Sequence, residues 1–446
     1  MNPFDLPSAV ASRPLRVGLL GLGTVGAGTY RVLQRNQRLI AQRAGRAIDI
    51  RMASARNLAK AQGVVSSEVV LVQDPFAITR HPEIDVVVEA IGGTSVARDL
   101  VLSALAHGKH VVTANKALLA EHGNAIWAIA RAQGLSVAYE GAVAVSIPII
   151  KALRESLTAN RIEWLAGIIN GTSNFILSRM ADQQEPFAQA LAEAQRLGYA
   201  EADPRLDVQG VDAAHKLALL AANAFATPVQ FAQVRVQGID GLQLRDLRYA
   251  QELGYRVKLL GVAQRQESAQ SMEVQPFLVP HPHLLAQVQG SMNGILVHGD
   301  AAGDQLFYGA GAGSEETGSA VIADLVDLAR RPAHCGPGVV PDLGFEVAAQ
   351  CPLASARPED LLRPYYLRCT GDCHLTGRFR EQRERIQAHV QHSWLPAAEA
   401  GTEAQDLVLL TRPLGPQGLS ELLAVVKAWA GAAGEWELLP VFDLGG

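Results

Sequence analysis

One segment of the chain, LGYAEADPRLDVQGVDAAHKLALL (197–220), combines four carboxylates and a lysine with an apolar helical pattern. Asp212 and Lys216 are four residues apart, so a helix places them on one face about a turn from each other. The helix is rich in Leu and Ala on nearly all sides, which predicts that it is buried. A buried lysine is stable only when it is paired, and its pKa depends on its partner and on desolvation. Such a lysine suits proton transfer to a carbonyl oxygen, and the alternative is an ordinary surface ion pair.

Upstream of this helix, an irregular loop around Pro204 presents Glu201, Asp203 and Asp207. Carboxylates in such a loop could hold an α-ammonium group, whereas Asp203 could simply cap the turn. Further upstream, GIINGTSNFIL (167–177) predicts a strand that runs into a helix. Thr172 or Ser173 is the expected helix cap, and the free N–H groups of the same turn could also face a polar substrate.

The sequence GLGTVG is a complete G-x-G-x-x-G between a predicted strand and a predicted helix. Gly21 allows the tight turn, Gly23 lets the backbone approach a pyrophosphate, and Gly26 allows close helix packing. The helix N-terminus then faces the phosphates. We predict dinucleotide binding at this turn, with Thr24 and Val25 in the binding set. The alternative is a glycine turn with a structural role alone.

Cofactor choice is expected at the end of the second strand, where an acid would accept the ribose 2′-hydroxyl. The chain has Arg56 there, and an arginine can pair with a 2′-phosphate. We therefore predict NADP(H) in preference to NAD(H); the alternative is that Arg56 is a solvated loop residue. Thr94 and Ser95 follow a valine-rich strand and could bond the nicotinamide ribose. Lys116, in TANK, lies at the same carboxyl edge and is predicted to point toward the chemistry.

These residues need elements that bring them together. Strands alternating with helices in the first third predict a parallel sheet covered on both faces. The middle predicts an α+β unit, a glycine turn near residue 309 opens a helix that returns to the first sheet, and the end is a small strand–helix alternation. Predicted helices include 25–42, 96–108, 146–157, 174–198 and 211–225, and predicted strands include 48–55, 85–93, 135–143, 161–170, 256–265, 272–280 and 294–300.

Composition excludes several classes of protein. The 446 residues suggest two or three domains, with 48% apolar and 19% charged residues and a net charge of −5. No basic run suggests nucleic acid, no apolar run approaches the ~20 residues of a membrane span, and the first residues do not resemble a signal peptide. All four cysteines lie in the last quarter, and Cys369 and Cys373 form a lone C-x₃-C pair that argues only weakly for metal. We expect a reduced, cytoplasmic protein with a small-molecule partner.

Taken together, the motifs resemble the homoserine dehydrogenase family. The resemblance rests on VGLLGLGTVG, TANK, NGTSNFIL, GYAEADPRLDVQGVDAAHKL and ELGYRVKLL. It implies a Rossmann-type parallel sheet with an inserted α+β catalytic and dimerisation domain and a small C-terminal ACT-like domain. The implied boundaries are a cofactor domain at 1–145 completed by 305–332, a substrate domain at 146–304, a linker at 333–359 and a regulatory domain at 360–446.

The activity that this resemblance implies is reversible oxidation of L-homoserine to L-aspartate 4-semialdehyde with NAD(P), in threonine, methionine and isoleucine biosynthesis. Lys216 would be the general acid and base, Asp212 would orient it, and Lys116 would be a second catalytic lysine. The substrate-binding positions implied by the family are Glu201, Asp207, Tyr199, Thr172 and Gly171. A homodimer or homotetramer is implied as well.

Two glycine-rich segments extend the resemblance. YEGAVAVSIP resembles the family's monovalent-cation loop, which implies sodium ligation by Glu140 and by the carbonyls of Val143, Val145 and Ile147, although glycines of the family pattern are replaced here. GAGAGSEET resembles a cofactor-side turn that contains Gly311, but it carries an unusual acidic pair, Glu315–Glu316.

The C-terminal unit resembles an ACT domain whose first loop, TGDCHLTGRF, lacks the usual D-x-P-G-x-L pattern. Loss of threonine feedback with retained subunit contacts would follow. Two other functions compete with the dehydrogenase. Aspartate-semialdehyde dehydrogenase chemistry needs a thiol nucleophile, which the first 334 residues lack. A catalytically impaired amino-acid or redox sensor with the same fold is the remaining alternative.

Overall fold

The computed structural model of the chain describes residues 13–331, 340–371, 374–396, 405–430 and 434–444. These residues form three β-sheets, of six, seven and four strands. Apolar cores lie on both faces of the first sheet, on both faces of the second and beneath the helices of the third. No helix within these ranges is long and apolar enough to span a membrane.

The first sheet is parallel, with strand order β3-β2-β1-β4-β5-β6. Its strands are β1 (Leu15–Leu20), β2 (Ile48–Ser54), β3 (Val70–Val72), β4 (Val86–Glu89), β5 (His110–Thr113) and β6 (Val137–Ala138). Its helices are α1 (Thr24–Arg35), α2 (Gln37–Ala44), α3 (Leu58–Gln62), α4 (Pro75–Arg80), α5 (Ser95–Ala106) and α6 (Lys116–Ala132). The order reverses between β1 and β4, and this switch point opens a ligand crevice at the carboxyl ends of the strands. The predicted Rossmann-type sheet is confirmed.

The second sheet is mixed, with strand order β12-β11-β7-β9-β10-β13 and β8 beside β10. Its strands are β7 (Ile162–Ile168), β8 (Arg235–Val236), β9 (Tyr255–Gln266), β10 (Ala269–Pro280), β11 (Met292–Gly299), β12 (Gly303–Ala310) and β13 (Ala354–Ser355). The helices that accompany it are α7 (Ile149–Lys151), α8 (Gly171–Gln183), α9 (Phe187–Arg196), α10 (Arg205–Val208), α11 (Val211–Phe225) and α12 (Leu244–Glu252), and a further helix, α13 (Ser314–Arg330), follows β12 in the chain.

Helix α13 returns to the first sheet, as the sequence predicts. It packs along α1, and the backbones approach so closely that a Cβ on Gly28 would lie 2.0 Å from the carbonyl oxygen of Ser314. Only glycine fits this contact. The start of α13 is therefore fixed beside the dinucleotide turn.

Several predicted elements differ in extent from the observed ones. The helix predicted at 174–198 is wrong as a single element: Gln184 has a φ of 55° and Pro186 precedes α9, so the chain bends there. The helix predicted at 25–42 divides at Asn36. The strand predicted at 135–143 is confined to β6, because the chain turns at Glu140.

The C-terminal unit has the chain order βαββαβ and an antiparallel sheet in the order β15-β16-β14-β17, as in ferredoxin-like folds. Its elements are β14 (Tyr365–Gly371), α14 (Leu375–Ile386), β15 (Val390–Trp394), β16 (Gln405–Thr411), α15 (Pro416–Ala430) and β17 (Glu435–Pro440). The ACT assignment stays a prediction, and part of its first loop lies outside the described residues.

The domain boundaries also stay predictions. Residues 333–339 of the predicted linker lie outside the described residues. The described part contacts the second unit, where β13 adds to the sheet beside β10 and Cys351 N donates to the carbonyl of Ala226 at 3.1 Å.

A buried ionic cluster attaches the C-terminal sheet to α12. Arg368 donates two hydrogen bonds to Asp246, from Nε at 2.6 Å and from Nη2 at 3.1 Å. Beside them, Arg245 Nη1 and the Tyr249 hydroxyl bond the carboxylate of Asp406 on β16, at 3.2 and 2.9 Å. We call Asp246, Arg368, Arg245 and Asp406 the docking cluster.

Candidate active site

The dinucleotide turn lies between β1 and α1, as predicted. Gly21 has a φ of +96°, and its N–H donates to the Ser54 hydroxyl at 3.0 Å. A Cβ on Gly26 would lie 2.0 Å from the carbonyl oxygen of Gly21, so the helix can start there only with glycine. A Cβ on Gly23 would meet nothing within 4 Å, so this position faces open space. Thr24 and Val25 form the first turn of α1.

A cavity of about 580 Å³ lies beside this turn and extends to the end of β2. Arg56 and Lys60 both line it, and no carboxylate is among its lining residues. Lys60 is not predicted from the sequence, although it follows Arg56 by four residues and this spacing could have indicated a second cation at the site. Asn57 caps the short helix that carries Lys60. The end of β2 is therefore basic where NAD-specific Rossmann folds place an acid.

Glu89 organises the carboxyl edge of the first sheet. Its buried carboxylate accepts hydrogen bonds from the N–H groups of Ile91 and Gly92, at 2.8 and 2.9 Å, and from the Thr113 hydroxyl at 2.7 Å. The Asn115 side chain bonds the carbonyl of Gly93 at 2.7 Å. The turn after β4 and the turn before α6 are thus joined. The sequence analysis does not predict a role for Glu89, although an acidic residue that directly follows three valines of a buried strand could have indicated one.

The same edge carries the predicted ribose and catalytic residues. Thr94 and Ser95 lie at the start of α5, and Lys116 is the first residue of α6. The Asn115 side chain caps α6 by accepting a hydrogen bond from the N–H of Leu118 at 3.1 Å. The cap fixes the position of Lys116 next to the second unit.

Lys116, Asp212 and Lys216 form one ionic cluster, which we call the lysine cluster. Lys116 Nζ lies 3.0 Å from Asp212 Oδ1, and Lys216 Nζ lies 2.7 Å from Asp212 Oδ2. Lys216 also donates to the carbonyl of Ile169 at 2.7 Å. Residues 212–225 of α11 are all buried, as predicted. The pair at 212 and 216 is therefore not a surface ion pair.

The three groups of this cluster have different electrostatic surroundings. Desolvation lowers the pKa of Lys216, and the nearby charge of Lys116 lowers it further. Asp212 raises the pKa of Lys116, whose side chain is 36% exposed. The two lysines hold the pKa of Asp212 well below its usual range despite its burial. One carboxylate thus keeps Lys116 charged and leaves Lys216 the easier lysine to deprotonate.

Asn170 connects this cluster to the predicted substrate residues. Its side-chain amide donates to Asp207 Oδ1 at 2.7 Å and to Asp212 Oδ2 at 2.9 Å. Its carbonyl oxygen accepts the N–H of Ser173 at 2.8 Å, so Asn170 is the cap of α8. The expectation that Thr172 or Ser173 caps this helix is wrong, because their hydroxyls bond the carbonyls of Tyr199 and Asp207 instead.

The remaining substrate residues lie around this helix start. Gly171 is the first residue of α8, and the Tyr199 ring packs on Phe175 with centroids 4.9 Å apart. Burial raises the pKa of Asp207, and Glu201 is exposed at the rim, where its charge helps to raise the pKa of Lys116. Asp203 pairs with Arg205 at 2.6 Å, away from this set.

The predicted cation loop is buried between the first sheet and α13. Both carboxylate oxygens of Glu140 accept backbone N–H groups, from Ile150 at 3.1 Å and Lys151 at 2.9 Å. Burial and the nearby Asp324 raise the pKa of Glu140 to about 8. Val143, Val145 and Ile147 continue the segment, and Ala144 has a φ of 50° where glycine is favoured. Two buried carboxyl groups and a turn of backbone carbonyls are suitable for a hard monovalent cation.

The turn that contains Gly311 leads into α13, whose first residue lies beside the dinucleotide turn, and a cofactor role for Gly311 stays a prediction. Ser314 donates to the carbonyl of Thr24 at 2.6 Å. Gly311 itself packs on Asn293, whose side chain would be 2.3 Å from an added Cβ. Glu315 forms an ion pair with Arg35 at 2.8 Å, which explains one member of the acidic pair. The Glu316 carboxylate folds back over Gly313 at the N-terminus of α13, where the helix dipole favours a negative charge.

Comparison with known proteins agrees with this architecture. The family model described as "Homoserine dehydrogenase, NAD binding domain" matches residues 21–140, and the model "Homoserine dehydrogenase" matches residues 148–326. The homoserine dehydrogenase of Pseudomonas aeruginosa is 46% identical over 428 residues, which cover 95% of this chain and 97% of that protein. That of Neisseria gonorrhoeae is 43% identical, with 93% and 96% covered.

Solved structures show the same relationship. A homoserine dehydrogenase from Thiobacillus denitrificans superposes with a TM-score of 0.89 at 47% identity, covering 97% of this chain and 99% of that one. A hyperthermophilic archaeal homoserine dehydrogenase in complex with NADPH, at 21% identity and a TM-score of 0.61, covers 73% of this chain and all of that one, and shares the fold. A sensor without turnover is not favoured by these matches. The chain belongs to the homoserine dehydrogenase family.

Proposed function

We propose that Lys216 is the general acid and base in the reversible conversion of L-homoserine to L-aspartate 4-semialdehyde, the reaction of this family. The observation that carries the proposal is the lysine cluster, in which one buried carboxylate bridges two lysines of opposite pKa shift. In oxidation, neutral Lys216 takes the hydroxyl proton; in reduction, its ammonium returns it to the carbonyl oxygen. The nicotinamide ring of the bound cofactor supplies or accepts the hydride.

The other residues of the cluster have supporting roles in this proposal. Lys116 keeps its proton and stabilises negative charge that develops on the substrate oxygen. Asp212 and the carbonyl of Ile169 hold the Lys216 amine in place. Asp207 and Glu201 hold the substrate ammonium, and the N–H groups of Gly171 and Thr172 face its carboxylate, because the first N–H groups of a helix have no partner within the helix.

The test is steady-state turnover with L-aspartate 4-semialdehyde and NADPH, followed by NADPH absorbance. Lys216→Met should abolish turnover while NADPH still binds. Lys427→Met is the matched control, since Lys427 lies over the Trp436 ring in the C-terminal unit. Turnover of Lys216→Met near that of the control, with an unchanged pH profile, would contradict the assignment.

We also propose that NADP(H) is preferred over NAD(H). Two cations and no carboxylate line the cavity at the end of β2, which suits a 2′-phosphate. Arg56→Ala and Lys60→Ala should each raise the KM for NADPH and leave the KM for NADH unchanged. An unchanged ratio of the two KM values in both variants would rule out this cavity as the 2′-phosphate site.

A structural sodium ion at the segment from Glu140 to Ile147 is proposed from the buried carboxyl groups described above. Glu140 and the carbonyls of Val143, Val145 and Ile147 would hold it. Sodium should then raise the melting temperature relative to choline at equal ionic strength, and equal melting temperatures would contradict the proposal.

Assembly as a homodimer or homotetramer is proposed as well. β12 is an edge strand of the second sheet and exposes Tyr308 by 58% and Leu306 by 36%. Exposed apolar edge strands favour pairing with another chain. Light scattering should give at least twice the mass of one chain, and Tyr308→Lys should lower it; a monomeric wild type would contradict the proposal.

A further inference from the structure

Lys258 on β9 is a buried lysine that the proposed mechanism does not use. It is 1% exposed, and its Nζ donates to the Asn174 side-chain oxygen at 2.9 Å and to the carbonyl of Val288 at 2.6 Å. Within the described ranges, no carboxylate forms a salt bridge with it. Asp182 acts on it only from a distance and is bonded to Arg256 at 2.9 Å.

An unpaired buried ammonium is costly, since it loses its hydration without gaining a counter-charge. Lys216 is equally buried but has Asp212 as its partner. Burial lowers the pKa of Lys258 to about 7. An anion that binds nearby would raise this pKa and restore the charge, so Lys258 is suited to respond to an anionic ligand.

Lys258 lies near the start of α8, because it bonds Asn174 of that helix. Asn174 follows Gly171 by three residues, about 4.5 Å along a helix axis. Helical side chains lean toward the N-terminus, so the Asn174 amide brings the Lys258 ammonium toward the first turn. That turn carries the N–H groups of Gly171 and Thr172, which face the substrate carboxylate in the proposed function.

The segment from Val288 to Met292 belongs to the same arrangement. The Asn174 amide donates to the carbonyls of Val288 at 3.2 Å and Met292 at 3.1 Å. A Cβ on Gly171 would lie 2.5 Å from the carbonyl oxygen of Ser291. Lys258 thus bonds the segment from Val288 to Met292, which packs against the backbone of Gly171.

The charges of the site leave a role for this cation. The substrate ammonium has Asp207 and Glu201, and Lys116 and Lys216 both bond Asp212. An amino-acid carboxylate therefore has the first turn of α8, whose partial positive charge is only about half an elementary charge. The full positive charge of Lys258 behind that turn would increase the attraction that the helix N-terminus exerts on a carboxylate.

We propose that Lys258 is a positioning residue that supplies positive charge behind the first turn of α8 and thereby selects substrates with an α-carboxylate. This inference rests on the proposed function. The discriminating ligand is 3-aminopropan-1-ol, which is homoserine without its carboxylate.

The experiment compares wild type, Lys258→Met and Lys258→Gln in homoserine oxidation with NADP⁺. The KM for homoserine should rise about tenfold in both variants. This is the effect expected when the substrate carboxylate loses its attraction to one positive charge that solvent screens only in part. The kcat, the KM for NADP⁺ and the inhibition constant of 3-aminopropan-1-ol should stay within about twofold. Glutamine keeps donors for the two carbonyl groups, so it tests the charge even if methionine prevents folding.

Lys109→Met is the matched control. Lys109 is also buried and donates to two carbonyls, of His81 at 2.6 Å and Ile84 at 2.9 Å, but it precedes β5 at the opposite edge of the first sheet. It should lose stability without a change in the KM for homoserine.

Equal weakening of homoserine and 3-aminopropan-1-ol, or an unchanged KM for homoserine, would overturn the inference. Failure of the proposed function itself would appear differently, as absence of NADP⁺-dependent homoserine oxidation in the wild type.

Discussion

The lysine cluster and the docking cluster are both buried ionic groups that join separate units, yet they use different cations. The first places two lysines on Asp212, and the second places an arginine on each of Asp246 and Asp406. Lysine loses its proton readily when it is buried, whereas arginine keeps its charge and binds a carboxylate with two parallel hydrogen bonds. The first arrangement can move a proton, and the second can only hold two surfaces together.

The largest effect should come from exchanging the cation in the lysine cluster. Lys216→Arg keeps the charge beside Asp212 but cannot release a proton near neutral pH, so kcat should fall about 10²–10⁴-fold. Steady-state kinetics in both directions would measure this, with NADPH binding as the control for folding. A kcat within tenfold of wild type would contradict the claim that the lysine cluster, unlike the docking cluster, transfers a proton.

Breaking the docking cluster should affect stability instead of chemistry. Asp246→Ala leaves the buried Arg368 without its carboxylate, although Arg368 still bonds the Thr370 hydroxyl, and this should lower the free energy of unfolding by about 3–5 kcal/mol. Urea unfolding would measure the loss, and the kcat of the folded protein should be retained. Asp182→Ala is the matched control, because its ion pair with Arg256 is half exposed and worth at most about 1 kcal/mol. Similar losses in both variants would show that the docking cluster contributes little.

Exchanging the cation in the docking cluster should have a smaller effect. Arg368→Lys keeps a charge beside Asp246 but loses the second hydrogen bond, so the free energy of unfolding should fall by about 1.5–3 kcal/mol. The same urea titration measures it. A loss as large as that of Asp246→Ala would mean that charge alone does not maintain the contact.

The smallest effect concerns the pH dependence of stability. The pKa of Lys216 is lower in the folded state than in the unfolded chain, so between the two values only the unfolded state binds the proton. This lysine therefore contributes stability that increases as pH rises through that interval, by up to about 1.4 kcal/mol per pH unit. The difference in unfolding free energy between wild type and Lys216→Met should increase as pH rises toward the ordinary lysine pKa of about 10.5. For Arg368→Met the difference should not change with pH, and equal slopes would contradict the comparison.

Much of the site could be read from local patterns. The glycine turn, the (i, i+4) pair at 212 and 216, and the burial of α11 follow from spacing and composition, which a sequence displays directly. The break between α8 and α9 could have been anticipated from Pro186. Strand β12 could not, because its sequence GDQLFYGA does not alternate polar and apolar residues, although its positions alternate in exposure.

The contacts that assemble the site could not be predicted in this way. Asn170 bonds two carboxylates that follow it by 37 and 42 residues, and Lys258 reaches Asn174 across 84 residues. Such contacts depend on how the second sheet brings distant strands and helices together. Lys60 is the exception, because its spacing from Arg56 is local.

Glu89 has a consequence for how sequence changes would act on this protein. A single carboxyl group holds both the turn after β4 and the turn that presents Lys116, so a shift of one turn would displace the other. Glu89 itself is fully buried, yet a mutation at this position would disturb both turns together. How well the carboxyl edge of the first sheet tolerates substitution therefore depends on a buried residue that holds its two turns together.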